Sequence, residues 1–127
     1  MTRGTKNDAG KLPMDVLDPE WLEGVAPVLQ FGAEKYEPHN WRRGLEWSRF
    51  YAGIQRHLNA FAKGEEHDPE TGLSHLHHAS CGLMFLSFMQ EHRRDLNDLY
   101  WSQVDTKKAV NCNSLCWRDG ECCNHHG

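Results

Sequence analysis

A chain of 127 residues has room for one domain with one core and not for two. Its net charge of -4 argues against a duplex nucleic-acid binder, which needs a basic face. It leaves room for a small phosphorylated ligand met by a local cluster such as Lys35, Arg42, Arg43 and Arg56, and five tryptophans exclude a disordered chain.

Residues 1–12 are polar and glycine-containing and are expected to be flexible. Met1 to Asp15 lacks the apolar run of a signal peptide. Asp18-Pro19-Glu20 is a helix start: a capping carboxylate, a proline suited to the first turn, and an acid at the positive end of the dipole. Trp21, Leu22, Val25, Val28 and Leu29 follow at helical spacing, with Pro27 set to interrupt or kink the helix before its end near Tyr36. Residues 37–46 form a loop.

A second helix is expected from about Glu46 to Lys63, striped by Trp47, Phe50, Tyr51, Ile54, Leu58 and Phe61 and ended by Gly64. A third starts near Leu73 and passes Gln90, with its second half apolar nearly all round, as in a helix buried on every side, often by a partner subunit. Its apolar run, Cys81 to Met89, falls short of the roughly 18 residues of a membrane span. Leu96, Leu99, Tyr100 and Val104 recur at helical intervals and suggest a fourth helix over Glu91 to Lys108, either separate or continuous with the third. No stretch alternates with period two, so the fold class is all-α, a compact bundle of about four helices in a cytoplasmic protein without a membrane anchor.

Chemistry concentrates between the second and third helices. From His57 to His78 stand five histidines and four carboxylates. His75 and His78 are three apart and share a helix face, a spacing used for metal ligands in bundles. If the helices are antiparallel, His57 approaches both, and Asp68, Glu66 or Glu70 completes a mixed imidazole and carboxylate site. The plainer reading has these histidines bonding at helix ends. His67 and His77 fall outside the cluster.

The segment Lys35-Tyr36-x-x-x-Asn40-Trp41-Arg42-Arg43-Gly44 joins cations, aromatic platforms and an amide. Arginine grips phosphate through paired hydrogen bonds, an aromatic ring stacks on a base, and an amide reads its edge. Equally, Trp41 can pack into the core. The tail carries Cys112, Cys116, Cys122 and Cys123 with His125 and His126, a ligand set for a structural Zn²⁺, while Cys81 inside an apolar helix reads as core.

Several short motifs together resemble a bacteriophage family, the N-terminal domains of dATP/dGTP diphosphohydrolases. They are Lys11-Leu12-Pro13-Met14-Asp15, Phe31-Gly32-Ala33-x-Lys35-Tyr36, Asn40-Trp41-Arg42-x-Gly44, Trp47-Ser48-Arg49, Arg56-His57-Leu58, Gly64-Glu65, Asp68-x-Glu70-x-Gly72 and His75-Leu76-x-His78-Ala79. The resemblance runs from Lys11 to about Met89 and leaves the tail outside. It implies a MazG-like all-α fold; with the helical reading of the chain this gives an all-α domain over residues 13–108, followed by a Cys/His-rich tail over 109–127. It further implies removal of pyrophosphate from a purine deoxynucleoside triphosphate, in the host cytoplasm. Such enzymes hold magnesium with Glu-x-x-Glu and Glu-x-x-Asp on helices. Here the matches, Glu34-x-x-Glu37 and Glu65-x-x-Asp68, sit at a helix end and in a loop, and histidines occupy the helices.

The expected assignment is therefore a Mg²⁺ or Mn²⁺ ion on His57, Asp68, Glu70, His75 and His78, with His57, Glu66 and Asp68 catalytic. Lys35, Tyr36, Asn40, Trp41, Arg42 and Arg56 would bind the nucleotide in a homo-oligomer. Two alternatives compete with it: a phage protein that sequesters a nucleotide immune signal uncut, and a structural oligomer whose histidines stabilise its interface.

Overall fold

A computed structural model of the chain describes residues 2–103. Residues 2–13 contain no helix and are exposed. After a 3-10 turn at Met14–Val16 come α1 (Pro19–Lys35), a 3-10 turn at Asn40–Arg43, α2 (Trp47–Ala62), α3 (His75–His92), a 3-10 turn at Arg94–Leu96 and a short α4 (Tyr100–Gln103). Among the described residues there is no strand, and the fold is all-α as expected. No helix here is long and apolar enough to cross a membrane.

The caps explain where the helices begin. Asp18 Oδ1 accepts from the Glu20 N–H at 3.1 Å, with Pro19 in the first turn of α1. Ser74 Oγ accepts from the Leu76 N–H at 3.1 Å and opens α3. The α2 cap is different. Glu46 makes no side-chain cap there, and the carboxylate of Asp98 arrives from fifty residues away to take the Ser48 N–H at 2.9 Å and the Ser48 hydroxyl at 2.6 Å.

Helix α1 continues unbroken through Pro27. It packs on α3, where the His77 ring fills the space that a Cβ on Gly24 would take and meets Trp21 edge-on at 5.1 Å. His77 is thus a packing residue between the two helices.

Helices α2 and α3 form an antiparallel hairpin: His57 faces His75, Ile54 faces Gly82, and Phe50 faces Phe85. Trp47, Phe50 and Met89 form the core cluster, with Ile54, Ala79 and Cys81 also buried. Burial pushes the Cys81 thiol up to about 11, which suits an inert core cysteine. Leu83 and Met84, however, are exposed, so α3 is not covered on every side within the described chain.

The expected fourth helix over Glu91 to Lys108 is corrected in its described part. Helix α3 ends at His92, and the chain bends at Arg93. Polar side chains and tertiary contacts take over there. Arg93 pairs with Asp95 and donates to the Arg43 carbonyl at 3.0 Å. The Arg93 carbonyl accepts from Trp47 Nε1 at 3.1 Å, and Asn97 Oδ1 accepts from the Leu99 N–H at 3.1 Å. Such side chains offer the backbone an alternative to the helix ladder. Val104 to Lys108 and the candidate zinc ligands Cys112, Cys116, Cys122 and Cys123 lie outside the described residues.

Candidate metal centre

Three segments meet at the loop end of the hairpin. Helix α2 brings His57, α3 brings His75 and His78, and the loop between them brings Asp68. The loop's shape follows from its sequence. Gly64, at φ +100°, closes α2: its N–H donates to the Phe61 carbonyl and the Glu65 N–H donates to the Ala60 carbonyl, both at 3.0 Å. The chain then folds back on itself, with the Asp68 N–H on the Leu73 carbonyl at 2.8 Å and the His75 N–H on the Glu66 carbonyl at 3.0 Å. Asp68 Oδ1 accepts from the N–H groups of Glu70 at 2.7 Å and Thr71 at 3.2 Å, an aspartate turn that leaves Oδ2 turned to His57.

His57 Nδ1 and His75 Nδ1 stand 2.8 Å apart, and Asp68 Oδ2 is 3.9 Å from His57 Nδ1. One ligand atom from each of His57, Asp68 and His75 can be chosen so that all lie within 4.8 Å of one another. Two imidazole nitrogens at 2.8 Å either share one proton or share a cation, since two lone pairs facing at that distance repel. His75 is almost fully buried, and its Nε2 lies 2.7 Å from Glu65 Oε1. His78 stacks on His57, with centroids 4.5 Å apart and planes 7° from parallel, and its Nε2 lies 2.7 Å from Thr71 Oγ1.

Electrostatics favour neutral rings at His57 and His78. Burial lowers the His57 pKa below the usual histidine value, the neighbouring His78 and His75 lower it further, and Asp68 opposes them. Burial likewise lowers His78, against the pull of Asp68. Burial works to raise Asp68, but the Glu70 and Thr71 N–H groups and the two histidines outweigh it and hold the carboxyl below its usual range. Neutral imidazoles beside a charged carboxylate are the states a cation binds. Two nitrogens and one oxygen suit Mn²⁺ and other transition metals better than Mg²⁺, which prefers oxygen throughout.

Of the other expected ligands, Glu70 is exposed and sits 3.5 Å from Lys35, and His78 is spoken for by Thr71. The Glu66 side chain is exposed, and it is the backbone of Glu66 that grips His75. Glu37 pairs with Arg43 at 2.8 Å. Thr71 is not among the expected site residues, and Glu65 enters the sequence reading only through the Glu65-x-x-Asp68 match and not the expected assignment. Their signal was positional: Glu65 follows the helix-ending glycine, and Thr71 lies within the aspartate turn.

Beside the cluster runs a groove of about 830 Å³ between the end of α1, the 36–45 segment and α3. Lys35, Tyr36, Asn40, Trp41 and Arg42 line it, as does His78, which joins the groove to the cluster. Trp41 stacks on Phe85 at 4.7 Å and meets Phe88 edge-on at 5.1 Å. The Arg42 guanidinium lies over the Trp41 ring at 4.3 Å and donates through Nε to His39 Nδ1 at 2.9 Å. Tyr36 is the exposed aromatic of the groove. Arg56 is exposed on α2, is not part of the groove lining, and among the described residues has no ion-pair partner.

The chain is thus an all-α protein with a histidine and carboxylate cluster beside a cationic, aromatic groove. It belongs to the family described as "dATP/dGTP diphosphohydrolase, N-terminal", whose model matches residues 1–99. A protein of Salmonella phage PMBT28 named dATP/dGTP diphosphohydrolase is 41% identical over 99 residues, which are 78% of this chain and 34% of that protein. The chain therefore spans about a third of the length of the relative it matches. No solved structure matches it.

Proposed function

We propose that this domain binds a purine deoxynucleoside triphosphate and hydrolyses it to monophosphate and pyrophosphate, with a divalent cation, Mn²⁺ rather than Mg²⁺, on His57, Asp68 and His75. The convergence of those three side chains beside the groove carries the reading. The name of the phage relative supports the substrate class. A cation there supplies Lewis acidity to the phosphates and acidifies water.

The chain's own residues divide the remaining work. Tyr36 offers a free ring for the base and Asn40 an amide for its edge. Trp41 builds the groove wall and orients Arg42. Lys35 exchanges Glu70 for a phosphate; that pair is solvent-exposed and weak, so the exchange costs little. His78 lines the groove beside the cluster and is held there by Thr71. Arg56 and Glu66 are exposed, and neither lines the groove. Half-exposed Tyr51, Leu58 and Phe61 on α2, with Leu83 and Met84 on α3, support a homo-oligomer, which light scattering after gel filtration would test.

The test is to incubate the purified protein with a nucleotide panel and Mn²⁺ or Mg²⁺ and assay both products and retained nucleotide. Conversion of dGTP or dATP to monophosphate and pyrophosphate establishes the reading. Retention of intact nucleotide without product replaces it with a sequestering protein, and no binding at all leaves a structural oligomer.

A further inference from the structure

We propose that Glu65 is a positioning residue that selects the metal-binding atom of His75: by accepting the proton of Nε2, it leaves the Nδ1 lone pair turned toward His57 and Asp68. The consequence for metal rests on the cation site proposed above; the tautomer does not.

The buried His75 ring has a different partner at each nitrogen. Nε2 lies 2.7 Å from Glu65 Oε1, and Nδ1 lies 2.8 Å from His57 Nδ1. A carboxylate only accepts, so the proton between Glu65 and His75 belongs to Nε2. The neutral ring then carries its lone pair on Nδ1, the atom inside the three-residue cluster. Without a cation, His57 Nδ1–H donates to that lone pair. With one, both Nδ1 atoms are ligands.

The backbone explains why Glu65 can do this. The left-handed Gly64 and the two bonds closing α2 fix the exit direction of the chain, so that Glu65 emerges beside the first turn of α3. The next residue holds the same histidine by its backbone, the Glu66 carbonyl accepting from the His75 main-chain N–H. Successive residues thus hold one histidine, Glu65 by its ring and Glu66 by its backbone. A carboxylate behind a ligating histidine sets its orientation and raises its basicity, and losing such a partner typically costs ~10–100-fold in metal affinity.

Two measurements on the whole chain test this. Long-range ¹H–¹⁵N spectra of the metal-free protein at pH 7.5 should show His75 as the Nε2–H tautomer. Glu65→Gln, whose amide oxygen still accepts, should keep that tautomer, and Glu65→Ala should show a mixture. Calorimetric titration with Mn²⁺ should give ~10–100-fold weaker binding in Glu65→Ala and a smaller loss in Glu65→Gln. The half-exposed position of Glu65 lets both variants fold, which melting curves would verify. An Nδ1–H tautomer in the unsubstituted protein, or Glu65→Ala binding Mn²⁺ as tightly as the parent, overturns the proposal. A parent with the Nε2–H tautomer that takes no Mn²⁺ overturns the cation site itself, and the role of Glu65 toward it.

Discussion

Gly82 is where the hairpin that carries the site is most sensitive to one added carbon. A Cβ there would stand 2.5 Å from Ile54 Cγ1 and 3.3 Å from Ile54 Cδ1. Ordinary carbon contacts are about 3.5–4.0 Å, so the atoms must part by roughly 1 Å. Ile54 is buried, and a β-branched residue in a helix has essentially one χ1 rotamer, so the Cγ1 branch cannot swing aside cheaply. The helices must separate, at an overpacking cost of about 1–3 kcal/mol. Against this, alanine is favoured over glycine within a helix by roughly 1 kcal/mol. Gly53→Ala on α2 isolates that gain, because its Cβ would meet only the flexible end of Arg56 at 3.8 Å. Gly53→Ala should therefore stabilise, and Gly82→Ala should fall about 1–3 kcal/mol below it in urea denaturation. In a domain of this size that is about 4 °C or more in melting temperature. The same separation pulls His57 from His75, one turn further along, so Mn²⁺ affinity should drop in Gly82→Ala alone. Equal stabilisation by both substitutions would refute the reasoning.

Three further outcomes are expected. Replacing His57 or Asp68 with Ala should lower nucleotide turnover at least ~100-fold with the fold intact, and unchanged turnover would remove both from the chemistry. Met89, fully buried in the core, should cost ~2–5 kcal/mol of unfolding free energy when changed to Ala, and a loss under ~1 would show that the core is not centred there. The metal-free protein should lose stability on acidification. The folded state holds His57 and His78 below the usual histidine pKa of about 6.5, so between those values the unfolded chain binds more protons. Stability is therefore fullest above pH ~6.5 and declines as the pH falls through it. The depressed Asp68 acts in the same direction lower down, its contribution present above pH ~3.9 and lost below. A denaturation midpoint that is flat or rising from pH 7.5 to 5.5 would contradict this sign.

Local rules read from the chain settle where α1 begins, where α2 stops and which histidines share a face. Asp18 caps α1 because a short polar side chain reaches the next N–H groups, and Gly64 stops α2 because it tolerates a left-handed backbone. The spacing of His75 and His78 puts both on one helix face; the approach of His57 hung on the two helices being antiparallel, as they are in the fold.

Other features depend on partners distant in the chain, and only the folded molecule supplies them. Helical periodicity carried the expected fourth helix through Glu91 to Lys108. It could not register that the Arg93 carbonyl is taken by Trp47 and that Asp98 caps α2. Composition left Trp41 equally suited to a base and to the core, and Phe85 and Phe88 from α3 give it its packing partners. The ligand atoms followed the same logic. Spacing along a helix places an imidazole on a face, but which nitrogen points where depends on what stands behind the ring. For His75 that is Glu65, and for His78 it is Thr71. Hydrogen bonds that orient a side chain are short in space and indifferent to separation along the chain, so periodicity could nominate these residues and only packing could aim them.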